Sequence, residues 1–250
     1  MEMQQLVAVA AVFVVAGTVK GVTGLGLPTV AIAGLSMVLP LAQAAALLVL
    51  PSLLTNVWQY LRCGAAWAVW RRTRGLCLGT AAGAWLSPLP EVASAGPWAQ
   101  ALTGGLLAFY GLAGLVGLRL PPPGRHDAWI GPAMGLATGA LTVASGVFVM
   151  PSVPYLQSLG LNKDTLVGAL GLTFTVCTLC LWISLGAGGV RTDALAASAS
   201  MLLPALLGLG LGAFARQRLS EAAFKRGFQI AIGALGLAMV QRALVSMGAA

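Results

Sequence analysis

The chain alternates long apolar runs with short polar interruptions. Between breakers the runs predict helices near residues 5 to 20, 28 to 39, 42 to 62, 75 to 90 and 97 to 118. A second series comes near 128 to 142, 147 to 160, 165 to 187, 194 to 214 and 227 to 246. At ~1.5 Å per residue the longer runs approach the ~30 Å of a bilayer's hydrocarbon core, and none shows the alternating pattern of barrel strands. The fold class expected is therefore an all-α integral membrane protein of about eight to ten membrane segments. The longest polar stretch, Arg119-Leu-Pro-Pro-Pro-Gly-Arg-His-Asp127, holds three prolines that forbid helix. It divides the chain into 1–119, a linker at 120–127, and 128–250.

The halves read as a duplication. A shift of 122 sets Gly17 on Gly139, Thr23 on Ser145, Gly24 on Gly146, Leu39 on Leu161, Leu48 on Leu170, Leu50 on Leu172 and Gly64 on Gly186. Later a shift of 129 sets Gly79 on Gly208, Gly83 on Gly212 and Gly104 on Gly233. Each half would hold one broken or re-entrant helix pair and then three long helices.

Composition agrees with a membrane protein. Of 250 residues 58% are hydrophobic and only 8% charged, too few to cover a soluble globule. The 33 glycines suit close approach of helices where no hydrophobic effect joins them, and glycine-rich faces would allow a homodimer. Cys177 and Cys180 form a CxxC without a second Cys or His pair, and the only histidine, His126, stands in the linker. They read as a buried, inert pair on one helix face, so no metal, cofactor or nucleic-acid partner is expected. No basic residue precedes the first apolar run, so that run is expected to be retained and not cleaved as a signal peptide.

Loop charge gives an orientation. Arg62 with Arg71, Arg72 and Arg74, then Arg119 with Arg125, then Arg216 with Arg218, Lys225 and Arg226 are the dense basic clusters, expected on the cytoplasmic side. An odd number of net crossings per half then inverts the halves and puts both termini outside. This requires that the short segments of the second half cross twice or re-enter, and it fails if they make one broken crossing. Trp58, Tyr60, Trp67 and Trp70 read as an interfacial belt beside the Arg71 loop.

The first apolar run ends in Gly17-Thr-Val-Lys20-Gly21-Val-Thr23-Gly24-Leu-Gly26-Leu-Pro28. Gly21, Gly24 and Gly26 let the backbone leave the helix, Thr23 can bond freed backbone groups, and Pro28 suits the first turn of a new helix. Broken backbone at membrane depth survives only inside protein or beside a polar cavity, and the N–H groups of the restarted helix suit an anion. The counterpart is Thr142-Val-Ala-Ser145-Gly146-Val-Phe-Val-Met-Pro151-Ser152. Glycines that serve helix packing alone are the competing reading of both breaks.

Lys20 has no acidic residue within seventeen positions. Spacing puts it either at the far interface, snorkelling, or in an internal cavity beside the break, where an ammonium next to free N–H groups makes an anion site. The helix from 42 to 62 carries Pro51, which should free a carbonyl one turn earlier, and a polar stripe of Ser52, Asn56 and Gln59. Its counterpart carries Thr173, Thr175 and Thr178; interhelical hydrogen bonding and substrate contact both fit these residues. All six acidic residues (Glu2, Glu91, Asp127, Asp164, Asp193 and Glu221) fall at the N-terminus, in loops or at helix ends, with Asp164 and Asp193 read as helix caps. No carboxylate stands mid-membrane to relay a proton or hold sodium.

The run from Ala16 to Pro28, together with Leu50-Pro-Ser-Leu-Leu-Thr-Asn-Val-Trp-Gln59, Gly64, a Trp-rich loop and Arg71-Arg72, resembles the TauE/SafE sulfite-exporter family. The resemblance covers nearly the whole chain, and Lys-Gly-x-Thr-Gly-x-Gly is its most specific part. It implies movement of sulfite, sulfonates or related small organosulfur and organic acid anions across a bacterial inner membrane. Carried over by position, Lys20, Gly21, Thr23, Gly24 and Gly26 match the first signature and Asn56 a polar position in the next long helix. Val147-Phe148 departs from the second signature. The expected substrate-binding set is Lys20, Gly21, Thr23, Gly24, Gly26, Asn56, Gln59, Ser145, Gly146, Ser152 and Thr178. An anion-permeable channel is the alternative to a transporter. A membrane subunit anchoring an enzyme fares worse, because no loop is large enough for chemistry and the one histidine is outside the membrane runs.

Overall fold

The computed structural model describes residues 3–94, 96–187, 193–216, 218 and 220–248, with the side chains of Asp193 and Glu221 left aside. Glu2 and the expected cap at Asp193 thus lie outside the described residues. All regular structure among them is helical. The first half holds α1 (Met3–Thr23), α2 (Leu27–Leu35), α3 (Leu41–Leu61), α4 (Ala66–Trp85) and α5 (Pro97–Val116). The second holds α6 (Asp127–Ser145), α7 (Ser152–Ser158), α8 (Lys163–Ala187), α9 (Asp193–Ser200), α10 (Leu202–Ala215) and α11 (Glu221–Gly248). Among the described residues six spans are long and apolar enough to cross a membrane: Met3–Thr23, Leu41–Leu61, Pro97–Val116, Lys163–Ala187, Ala194–Ala215 and Ala222–Gly248.

Several boundaries differ from the sequence reading. Helix α4 starts at Ala66, well before residue 75, and takes Trp67, Trp70 and the three arginines into its first turns. Trp67 and the arginines are exposed and Trp70 is half-buried, while the exposed Trp58 ring of α3 has the Arg62 guanidinium 4.7 Å from its centre. An exposed helix turn tolerates them as well as a loop would. Tyr60 points inward instead and donates to the Ala66 carbonyl. At the start of α8 the cap is Asn162, whose Oδ1 accepts the Thr165 N–H at 2.9 Å, and Asp164 falls inside the first turn.

Helices pack in reciprocal pairs: α1 on α10, α4 on α6, α5 on α11, and α3 on α8 through the centre. The first three pairs approach through glycine. A Cβ at Gly17 would stand 2.2 Å from the Ala205 carbonyl oxygen, one at Gly139 2.0 Å from that of Thr80, and one at Gly104 2.6 Å from that of Gly236. No side chain fits such spaces, so backbones touch and dispersion holds the pairs. Where the sequence reading sets Gly83 on Gly212, Gly83 faces the Leu136 carbonyl and Gly208 faces that of Val14, two positions 122 apart.

One end of the bundle gathers the basic clusters. Gly168 packs on Cys63, Gln59 donates to the Val167 carbonyl, and Val167 and Phe228 both lie against the turn at Gly24 to Gly26. The starts of α4, α6, α8 and α11 therefore share this end. Tyr155 of α7 donates to Asp127 at the start of α6, and Arg72 pairs with the same carboxylate. The α6–α7 pair thus leaves this end and comes back to it, a re-entrant path and not one broken crossing. The α1–α2 pair does the same from the opposite end, where Arg242 donates to the Met37 carbonyl and Gly34 packs back on Val12.

Pro51 stands inside α3 and cannot bond the Leu47 carbonyl. Ser198 of α9, fully buried, fills the gap: its Oγ donates to Leu47 O at 2.8 Å and accepts the Leu50 N–H at 3.0 Å.

Candidate functional site

Both breaks are built by the same local chemistry. In the first, Gly24 takes φ +76 and its N–H bonds Lys20 O, while Thr23 Oγ1 donates to Val19 O at 2.9 Å and lies 3.2 Å from the Leu25 N–H. In the second, Gly146 takes φ +71 and bonds Thr142 O, while Ser145 Oγ donates to Leu141 O at 2.6 Å and accepts Val147 N–H at 3.2 Å. A left-handed glycine ends each helix and the hydroxyl one residue before it holds the freed groups on both sides of the break. The roles of Thr23 and Ser145 toward the backbone are therefore interchangeable.

Downstream, the two breaks diverge. Gly26, at φ +106, precedes α2, where Pro28 sits in the first turn and Thr29 Oγ1 is buried with no hydrogen-bond partner. At the equivalent place the second break has Phe148, whose ring lies 6.0 Å from that of Phe174, both shut off from solvent. Ser152 turns its hydroxyl onto Phe148 O, so it caps its own turn, and α7 has only seven residues. The first break packs Gly26 against Val19 and the ring of Phe228, whereas the second carries its aromatic ring, Phe148, in the break itself.

Lys20 turns inward and does not snorkel. Its side chain is buried, 4% exposed, and runs inward to α3, where Nζ donates to Thr55 Oγ1 at 3.1 Å and to Asn56 Oδ1. From there a chain of neutral groups crosses the centre. Asn56 Nδ2 donates to Ser52 Oγ at 3.0 Å, Ser52 Oγ lies 3.1 Å from Thr178 Oγ1, and Thr178 donates to Phe174 O at 2.6 Å. Thr55 donates in turn to Pro51 O at 2.6 Å. Among the described residues no carboxylate pairs with Lys20; the ion pair found, Arg72 with Asp127, lies at the basic end. An ammonium held only by neutral oxygens would be an uncompensated charge there.

Of the expected residues, Lys20, Asn56 and Thr178 come together in this network. Gln59 sits one turn nearer the basic end, bonded to Val167 O, and with Arg62, Cys63, Gly64 and Asp164 lines a cleft that opens at that end beside Gly24. Gly21 turns away: a Cβ there would meet the Leu209 carbonyl oxygen of α10 at 2.4 Å, so it serves helix packing. Gly146 lies on Ile32 of α2, and the Ser145 carbonyl accepts the hydroxyl of Thr103 at 2.9 Å. The expected binding set leaves out Ser52, although it stands on the polar stripe read from the sequence, and Thr55; both belong to the network. A shift of 122 sets Lys20 on Thr142 and Thr55 on Cys177, so the second half has no ammonium at the matching place. The CxxC is not a buried pair: Cys177 is fully buried but Cys180 is partly exposed, and both are free thiols. No cluster of metal-ligating side chains occurs among the described residues.

The second cleft, at the opposite end, is lined by Trp85, Glu91, Val143, Cys180 and Ser184 and lies beside the second break. Each break therefore has a cleft on its own side of the bundle, with the Lys20 network between them. No curated protein and no solved structure matches the chain. A family model described as the sulfite exporter TauE/SafE matches residues 9–239, which takes in both breaks, the Lys20 network and all the long helices but the ends of the first and last. The chain belongs to the TauE/SafE sulfite-exporter family, a family of multi-pass membrane transporters and not of enzymes.

Proposed function

We propose that this transporter carries small anions, sulfite, sulfonates or related organosulfur and organic acid anions, and binds them at Lys20 between the two broken helices. The observation that carries the reading is the burial of the Lys20 ammonium among neutral oxygens only. Thr29, whose buried hydroxyl has no protein partner at the start of α2, supplies a donor on the same break. Asn56, Ser52 and Thr178 orient the ammonium and offer further donors along α3 and α8. The reciprocal helix pairs and the two re-entrant paths from opposite ends support two inverted repeats, 1–119 and 128–250, joined by the linker at 120–127. With the basic end in the cytoplasm of a bacterium, both termini lie outside the inner membrane. Every residue assigned to the site comes from one chain, and the glycine-rich faces would still allow a homodimer. An alternating carrier is favoured over a channel because Lys20 is sealed from both clefts in this structure.

Thermal unfolding of the purified protein with sulfite, thiosulfate, taurine, sulfoacetate and simple carboxylates tests the reading. One anion at 100 times its dissociation constant should stabilise the wild type by ~2.7 kcal/mol. Lys20→Ala should lose that shift. An equal shift in Lys20→Ala would end the role of the lysine.

A further inference from the structure

Among the described residues no carboxylate reaches the Lys20 network, and that bears on what crosses with the anion. Helix α2 presents no titratable side chain, and neither does α10. On α3 the titratable neighbour is Tyr60, whose hydroxyl is taken by the Ala66 carbonyl. On α8 the neighbours are the free thiols Cys177 and Cys180, with Asp164 out at the basic cleft beside Arg62. Helix α11 brings Lys225 and Arg226 near its start, which are cationic, and Arg242 at the far end, occupied with Met37 O; the Glu221 side chain is outside the described residues. A charged ammonium in the empty site would therefore stand uncompensated in a low-dielectric interior, a cost that a neutral amine avoids. The neutral amine still suits its surroundings, since its two N–H donors match the two oxygens that accept from Nζ, Thr55 Oγ1 and Asn56 Oδ1.

Resting on the anion-site reading above, we propose that Lys20 carries a proton together with the anion, so that each monovalent anion crosses with one H⁺. The anion and the ammonium enter the occluded state as a neutral pair. When the anion leaves, the ammonium releases its proton to water in the cleft and the site returns as the neutral amine. The proton taken up on one side is the proton released on the other, and the cycle moves no net charge.

The test uses the full chain in sealed vesicles, with labelled methanesulfonate, a monoanion at every pH used, and labelled sulfite as probes. With one proton per anion, a gradient of one pH unit should concentrate the monoanion up to about tenfold. Clamping the membrane potential should leave that accumulation unchanged. In Lys20→Arg, whose guanidinium keeps its proton, anion-for-anion counterflow should persist while pH-driven accumulation disappears. Accumulation in the wild type that tracks the potential and ignores the pH gradient overturns the coupling whether or not the variant folds, and so does pH-driven accumulation in Lys20→Arg. Counterflow that persists in Lys20→Ala overturns the anion-site reading instead. The same holds if neither probe exchanges in the wild type.

Discussion

Replacing Asn56 by Asp keeps the shape of the side chain and sets a carboxylate against Lys20 Nζ, where the amide oxygen now accepts its hydrogen bond. Two unit charges about 4 Å apart at an effective dielectric near 20 attract by ~4 kcal/mol. A substrate anion would have to compete with that fixed charge, and at ~1.4 kcal/mol per tenfold its affinity should fall by about a thousandfold. Asn56→Leu removes the hydrogen bond but adds no charge. Thr55 still holds the ammonium, so affinity should stay within about tenfold of the wild type. Calorimetric or thermal-shift titration of the two purified variants with the anion that stabilises the wild type gives the comparison. A pure packing role for Asn56 predicts equal losses in Asp and Leu, and that result would refute the electrostatic reasoning.

Two further predictions concern the frame that holds the site. Ser198→Ala leaves the Leu47 carbonyl and the Leu50 N–H without their partner, and should lower stability by about 0.6 to 1.7 kcal/mol, the range for hydrogen bonds between membrane helices, in denaturant unfolding from mixed micelles. Gly139→Val must push α6 off the Thr80 carbonyl and should abolish folded protein in size-exclusion profiles, whereas Gly105→Ala, with open space around it, should leave the profile unchanged.

How far the sequence can be read depends on whether the signal is local. The first break is legible because Lys20, Thr23, Gly24 and Pro28 stand within nine consecutive residues and each has a backbone reason to be there. The pairing of Lys20 with Thr55 and Asn56 is not, because it joins positions 35 and 36 residues apart and nothing in either helix specifies its partner. Pro51 announces a free carbonyl, yet the hydroxyl that satisfies it, on Ser198, stands 151 residues from Leu47. Gly21 shows the opposite case: it belongs to the motif but faces α10, and a glycine that turns is spelled the same as a glycine that packs. The start of α4 escapes a sequence reading because Trp67, Trp70 and Arg71 to Arg74 look like a loop, although at a lipid boundary a helix turn holds them equally well. Phe148 is visible as a departure from the motif, and the structure adds that its ring is buried beside that of Phe174.

Everything proposed for the mechanism depends on the anion being bound by Lys20 in the middle of the bundle. Counterflow of labelled sulfite into vesicles loaded with unlabelled sulfite, compared between wild type and a Lys20→Ala variant shown to be folded, probes that binding without any driving gradient. Rapid exchange is expected in the wild type, and a rate at the level of protein-free vesicles in the variant. Exchange at the wild-type rate in Lys20→Ala would remove the lysine from the site.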